Sequence, residues 1–114
     1  MNIIHSILRA VTTFFLLLSI PTITHGLEQA EGEVLFQNNC AGCHINGGNI
    51  IRRGKTLKIK DLKKRGLDNP EAIAKIARDG IGIMSGYKEV LGKNGDQLVA
   101  IWIWSQAQNA WIQG

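Results

Sequence analysis

The pentapeptide Cys40-Ala41-Gly42-Cys43-His44 constrains this chain more than any other feature, and it contains both cysteines of the sequence. Two thiols at this spacing can add to the two vinyl groups of a haem, while the histidine that follows places its imidazole on the iron. A haem held in this way also supplies apolar interior to a domain too small for a large core of its own. The motif therefore predicts one covalently bound haem c, attached through Cys40 and Cys43 and ligated by His44.

Other uses of two cysteines at this spacing fit the sequence less well. A structural zinc site needs four ligands, and the usual nitrogen and sulfur ligands after residue 26 are only Cys40, Cys43 and His44. A thioredoxin-like dithiol lies at a strand-to-helix turn, and no strand pattern is visible here. A disulfide between residues three apart closes a small loop and stabilises little.

The second axial ligand has one candidate, Met84. It is the only methionine after residue 26, and it lies in the glycine-rich stretch from Gly80 to Gly86, which predicts a loop. A thioether opposite a histidine gives six-coordinate iron, which suits electron transfer rather than oxygen or peroxide chemistry. Simple core filling is the alternative for a lone methionine. We expect His44 and Met84 to be the axial ligands.

The start of the chain has the layout of a cleavable signal peptide. An uncharged run, residues 10–20, follows a single basic residue; the run is too short to span a bilayer, and Pro21 closes it. This layout predicts a signal peptide over 1–26, and the remaining residues, 27–114, are predicted to form a single domain around the haem. An uncleaved anchor is the alternative. We expect an exported protein without stable membrane insertion.

Positive charge is concentrated in one segment. The full chain has a net charge of +4, and between positions 52 and 65 a single acidic residue, Asp61, stands among eight basic ones. The basic residues are Arg52, Arg53, Lys55, Lys58, Lys60, Lys63, Lys64 and Arg65. Such a segment favours an acidic partner surface, although a solvated face without a partner has the same pattern. Nucleic acid is a poor fit, because the segment has no interleaved aromatic residues.

Hydrophobic spacing and turn residues predict four short helices and no strand. The predicted helices are residues 28–39, 57–65, 70–79 and about 95–110. Gly66 should end the second helix, Asp68 or Asn69 should cap the start of the third, and Gly80 should end it. In the last helix the apolar face is expected at Leu98, Ile101, Trp102 and Ser105.

With these features in place, the chain resembles class I c-type cytochromes, and among them the cytochrome c6 family of cyanobacteria and algal plastids. The matching segments are Cys40 to His44, Gly47-Gly48-Asn49, Lys55 to Lys58, Ala72-Ile73, Asp79-Gly80 with Met84, and Trp102 to Gln106 with Trp111. The resemblance covers essentially all of residues 27–114. It implies an all-α class I cytochrome c fold of about four helices around one haem c, and a monomeric electron carrier rather than an enzyme.

The resemblance also implies a set of contacts. Gly32 and Phe36 of the first helix should cross the last helix near Leu98 and Trp102. Asn49 and Lys55 should lie near the haem propionates. The apolar rim of the haem edge is expected at Ile81, Ile83 and Tyr87, where redox partners would dock transiently.

In the cell, the resemblance implies photosynthetic electron transport. The protein would carry one electron from the cytochrome b6f complex to photosystem I or a terminal oxidase, in the thylakoid lumen or the periplasm. The alternatives are a haem peroxidase, a gas or redox sensor with a displaceable Met84, and a structural haem subunit of a membrane complex.

Three positions depart from the family pattern. Ser85 follows Met84 where family members commonly have proline, Ile76 takes the place of a glutamine packed near the haem, and Val90 takes the place of an arginine used in docking. Replacing a polar haem neighbour changes the local dipole and dielectric, which are levers on the reduction potential. These departures predict a variant c6-like protein with a potential below that of a standard cytochrome c6.

Overall fold

The computed structural model describes residues 3–4 and 22–112. Within residues 22–112 the chain forms five α-helices and a 3-10 turn at Ile45–Gly47, and the one strand-like pairing there is a bridge between Ile81 and Met84. The helices are α1, Thr22–Asn39; α2, Ile59–Lys64; α3, Pro70–Asp79; α4, Lys88–Leu91; and α5, Gly95–Gln108. The predicted all-α fold is confirmed.

Helix α5 is the centre of the fold, because α1 and α3 both pack against it. Together they bury one apolar core, to which α2, α4 and the segment after α5 each contribute a side chain. The core residues are Phe36, Leu62, Ile73, Ala74, Ala77, Leu91, Val99, Ala100, Trp102, Ile103, Ala107 and Trp111. No helix in the described residues is long and apolar enough to cross a bilayer.

The closest approach of α1 to α5 occurs at Gly32. A Cβ at this position would overlap the carbonyl oxygen of Leu98 and would lie 2.8 Å from the Cβ of Trp102. One turn further along α1, the ring of Phe36 meets the indole of Trp102 with centroids 4.7 Å apart. The predicted crossing of these two helices is confirmed. Gly32 permits it, because glycine has no side chain.

The boundaries of α3 follow the capping residues. The side chain of Asn69 accepts a hydrogen bond of 2.8 Å from the backbone N–H of Ala72, and Pro70 follows as the first helical residue. At the other end Gly80 has φ +77°, a conformation that favours glycine, and its N–H bonds the carbonyl of Ile76. Both predicted ends of this helix are confirmed, with Asn69 rather than Asp68 as the cap.

Two helix predictions were incomplete. Helix α1 spans Thr22–Asn39, so helical residues precede the predicted start at residue 28; Gly26 within it costs about 1 kcal/mol relative to alanine and does not end the helix. The helix thus passes through the predicted boundary at residue 26, and most of the predicted signal peptide lies outside the described residues. Helix α4 was not predicted, since four residues are too few to show a helical period.

The predicted apolar face of α5 was wrong except at Trp102. The buried positions are Val99, Ala100, Trp102, Ile103 and Ala107, whereas Leu98, Ile101 and Ser105 are half-buried. The reason is that α1 and α3 cover α5 from two sides. The buried face of α5 is therefore wider than a single apolar stripe, and it is not centred on the predicted residues.

Trp111, which the helical pattern left unassigned, closes the core after α5 ends. The backbone of Ala110 and Trp111 has positive φ, +53° and +58°, and this turns the indole inward against Phe36 and Trp102. Its Nε1–H donates a 3.1 Å hydrogen bond to the carbonyl of Leu57. Trp111 therefore ties the end of the chain to the loop that precedes α2.

Gly32→Ala should destabilise the folded protein by about 2 kcal/mol, because the added methyl group forces α1 away from α5. Urea unfolding of the haem-loaded protein measures the loss. Gly42→Ala is the matched control, since nothing lies within 4 Å of the Cβ that it would add. Equal stability of the two variants would contradict the close crossing.

Trp111→Phe should cost about 1 kcal/mol more than Trp104→Phe. Both changes shrink an indole to a phenyl ring and remove its N–H, but only the N–H of Trp111 donates to a backbone carbonyl among the described hydrogen bonds, and its loss leaves the carbonyl of Leu57 without that partner. Thermal or urea unfolding of the two variants gives the comparison. Matching losses would show that the hydrogen bond contributes nothing.

Candidate haem-binding site

The predicted haem-attachment motif forms a turn that continues directly from α1. The N–H groups of Cys40 and Ala41 both bond the carbonyl of Phe36, at 2.8 and 3.0 Å. The N–H groups of Cys43 and His44 then bond the carbonyl of Cys40, at 3.1 and 2.9 Å. These hydrogen bonds form a tight turn that brings both cysteines and the histidine together at the end of α1.

The two thiols differ in their surroundings, and they are not joined as a disulfide. Cys40 is half-buried and packs against the core, whereas Cys43 is exposed. Burial, and to a lesser degree the neighbouring Cys43, raises the pKa of the Cys40 thiol to about 11. The free Cys40 side chain is therefore a neutral thiol at neutral pH.

His44 is buried, with 8% of its surface exposed, and its ring is held by one hydrogen bond. Nδ1 lies 2.7 Å from the carbonyl oxygen of Gly48, which can only accept, so Nδ1 carries the proton and donates. Nε2 is then available as a metal ligand, and the hydrogen bond of Nδ1 fixes the ring plane. This arrangement fits the role predicted for His44 in haem ligation.

The turn that supplies the Gly48 carbonyl is backed by Trp111. Gly47 has φ +73°, and a Cβ there would overlap the indole of Trp111, so glycine is required on both counts. The carbonyl of Gly47 accepts a 2.7 Å hydrogen bond from the N–H of Leu57, whose own carbonyl is bonded to Trp111. The sequence analysis did not find Trp111 behind this turn.

Met84 lies half-buried in the predicted loop, which is a tight and well-bonded turn. The N–H of Ile81 bonds the carbonyl of Met84 at 2.9 Å, and the reverse bond measures 3.0 Å. Just beyond it, the N–H of Tyr87 bonds the carbonyl of Ala77, which ties the loop back to α3. The motif after α1 and Met84 after α3 are thus carried by the two helices that pack against α5.

The residues expected around the haem edge separate into two groups. Ile81 and Ile83 are exposed, whereas Tyr87 is half-buried and packs against the core. The Asn49 side chain is engaged in its own loop: Oδ1 accepts from the N–H groups of Ile51 and Arg52, and Nδ2 donates to the carbonyl of Lys55. Its place near the propionates stays a prediction, and its visible role is to close the loop.

Comparison with known proteins identifies the family. A family model described as cytochrome c oxidase, cbb3-type, subunit III matches residues 27–103. A cytochrome c6-like protein of Nostoc sp. is 45% identical over 89% of this chain and 91% of the relative. Cytochrome c6 of Microcystis aeruginosa is 37% identical over 71% of this chain and 100% of its own length.

Solved structures agree with this assignment. Cytochrome c6B from Synechococcus sp. matches with a TM-score of 0.72 and 70% identity, covering 74% of this chain and 96% of that one. Oxidised cytochrome c6A from Arabidopsis thaliana matches with a TM-score of 0.70 and 33% identity over 77% and 98% of the two chains. The match of the family model, residues 27–103, spans the turn after α1 and the Met84 loop. The chain therefore belongs to the family of the matching model and to the c6-like branch of the cytochrome c6 family, electron carriers that hold one covalent haem c.

Proposed function

We propose that Cys40 and Cys43 attach the haem, that His44 and Met84 ligate its iron, and that the protein shuttles single electrons between membrane redox complexes. The observation that carries this proposal is the hydrogen bond from His44 Nδ1 to the Gly48 carbonyl, which leaves Nε2 as the one free ligand atom of a buried imidazole beside two unpaired thiols. A haem bound here supplies a one-electron couple at its iron.

The fold keeps both proposed iron ligands, His44 and Met84, in fixed positions. The Gly48 carbonyl keeps the imidazole of His44 from rotating, and the paired hydrogen bonds between Ile81 and Met84 hold the thioether on a short turn. Neither ligand lies on a long free segment. Since both elements are anchored to helices packed on α5, little rearrangement accompanies a change of charge at the site, and this favours rapid electron exchange.

For the cellular circuit we propose the cytochrome b6f complex as donor and photosystem I or a terminal oxidase as acceptor, met by transient docking. Membership of the cytochrome c6 family supports this circuit. The sequence layout supports a signal peptide over 1–26, a cytochrome c domain over 27–114, and a location in the thylakoid lumen or periplasm. Ile76, which takes the place of a glutamine packed near the haem in family members, supports a midpoint potential below that of a standard cytochrome c6.

Replacing Met84 separates the proposed carrier from a haem peroxidase or sensor. Met84→Ala should retain the covalent haem but lose the far-red sulfur-to-iron absorption band of the oxidised protein, and its midpoint potential should fall because the thioether favours reduced iron. Visible spectra and voltammetry measure both effects. Ser85→Ala, a neighbouring exposed position, is the control and should change neither.

A wild-type protein without the far-red band would contradict ligation by Met84. Rapid peroxide turnover by that same wild-type protein would instead favour a haem enzyme, because an open iron position is what such chemistry needs.

Val90→Arg should speed oxidation of the reduced protein by purified photosystem I several-fold at low salt, since it restores a positive charge at an exposed position on α4. Val34→Arg is the matched control: Val34 is also exposed, and the two variants have the same net charge. Flash-induced kinetics give both rates. Equal rates for the two variants would count against docking through α4.

A further inference from the structure

A positively charged surface lies beside the haem-binding motif, in the segment from residue 50 to residue 64. Seven of the eight basic side chains identified in the sequence are exposed there, and none of the ion pairs found among the described residues involves them. We call this surface the basic face; its members are Ile50, Ile51, Arg52, Arg53, Lys55, Lys58, Lys60, Lys63 and Lys64. The eighth basic residue, Arg65, is half-buried.

The one carboxylate in the segment is engaged within the fold. Asp61 Oδ2 accepts a 2.6 Å hydrogen bond from the Thr56 hydroxyl, and this bond is the main cause that holds the pKa of Asp61 below its usual value. Arg65 donates to the backbone carbonyls of Thr56 and Asp61. Asp61 and Arg65 therefore brace the start of α2. The charge of Lys60 also helps to lower the pKa of Asp61, but none of the seven exposed cations forms an ion pair among the described residues.

Two large apolar side chains stand at the edge of these cations. Ile50 and Ile51 are 65% and 61% exposed. They are held in this position because the Asn49 side chain accepts hydrogen bonds from the N–H groups of Ile51 and Arg52, at 2.9 and 2.8 Å, and donates to Lys55. A closed and internally bonded loop thus presents an isoleucine pair to solvent next to Arg52 and Arg53.

The same loop is bonded directly to the haem-attachment motif. The N–H of Ile50 donates a 3.1 Å hydrogen bond to the carbonyl of Cys43, the exposed one of the two cysteines. Two residues earlier in the chain, the Gly48 carbonyl holds His44. Whatever covers the isoleucine pair therefore lies against the turn that carries the haem.

We propose that the basic face is a docking surface for an acidic redox protein, with Ile50 and Ile51 at the contact and the seven cations steering the approach. This inference rests on the proposed electron-carrier function. Transient redox partners meet over small apolar patches surrounded by complementary charge. A protein partner is chosen over an anionic membrane because a surface adjacent to Cys43 serves electron exchange only if its occupant can give or accept an electron.

The test uses the haem-loaded protein and an acidic flavodoxin as the probe. One electron leaves the flavin hydroquinone, which becomes the semiquinone, and reduces the ferric haem to ferrous. At about 10 mM ionic strength, where the Debye length is about 30 Å, Arg52→Gln/Arg53→Gln should slow this reaction roughly three- to tenfold. Lys75→Gln/Lys93→Gln removes the same two charges at exposed sites outside the basic face and should change the rate less than twofold.

Salt separates the charged from the apolar part of the surface. At 1 M salt, where the Debye length is about 3 Å, wild type and Arg52→Gln/Arg53→Gln should converge. Ile50→Ser/Ile51→Ser should remain slower than wild type at both salt concentrations, because an apolar contact is not screened. Val34→Ser, at an exposed valine on α1, is the control and should match wild type.

Equal slowing by the two double charge variants would overturn the proposal, since net charge alone would then explain the effect. Salt-sensitive sedimentation with anionic phosphatidylglycerol vesicles that is lost in Arg52→Gln/Arg53→Gln would also overturn it and assign the face to a membrane. The proposed function fails separately, if wild type lacks methionine-ligated haem or accepts no electron from the cytochrome b6f complex. A failure confined to the basic-face variants leaves that function intact.

Discussion

The close crossing of α1 and α5 at Gly32 is the constraint on which the rest of the structure depends. The residue has no side chain, so the backbone of Leu98 and the base of Trp102 come into contact with α1, and Phe36 then meets the Trp102 ring one turn later. Four residues beyond Phe36 the haem motif begins, with its first N–H bonded to the Phe36 carbonyl. The position of the cysteines is therefore set by helix packing, and a shift of α1 would move the site with it.

The loop from Gly47 to Leu57 links the chemistry of the site to the surface beside it. On its inner side it offers the Gly48 carbonyl to His44 and rests against the indole of Trp111. On its outer side, closed by Asn49, it exposes Ile50 and Ile51. One short segment thus orients the predicted iron ligand and shapes the proposed docking surface, so changes in this loop should affect both the ligand and the partner.

Predictions that depend on local chemistry agreed with the structure. Asn69 and Gly80 bound α3, and Gly66 follows α2 with φ +67°, because capping and positive φ are decided by a few adjacent atoms. Predictions that needed the packing partners were less accurate. The face of α5 was misplaced and Trp111 was left unassigned, since two helices cover α5 and the chain reverses after Gln108.

The amino-acid sequence by itself determined the cofactor and its family: Cys40, Cys43 and His44 are contiguous, and their spacing carries the chemistry without reference to any distant residue. It also placed Met84 in a glycine-rich loop, as the only methionine after residue 26. Only the tertiary structure decided which atom of His44 is free, what supports the turn behind it, and which cations remain exposed beside an apolar pair. The support of that turn comes from residues far apart in the chain, Trp111 and Leu57, whereas the hydrogen bond of His44 to Gly48 and the exposed cations depend on how one short loop folds, which no sequence pattern specifies.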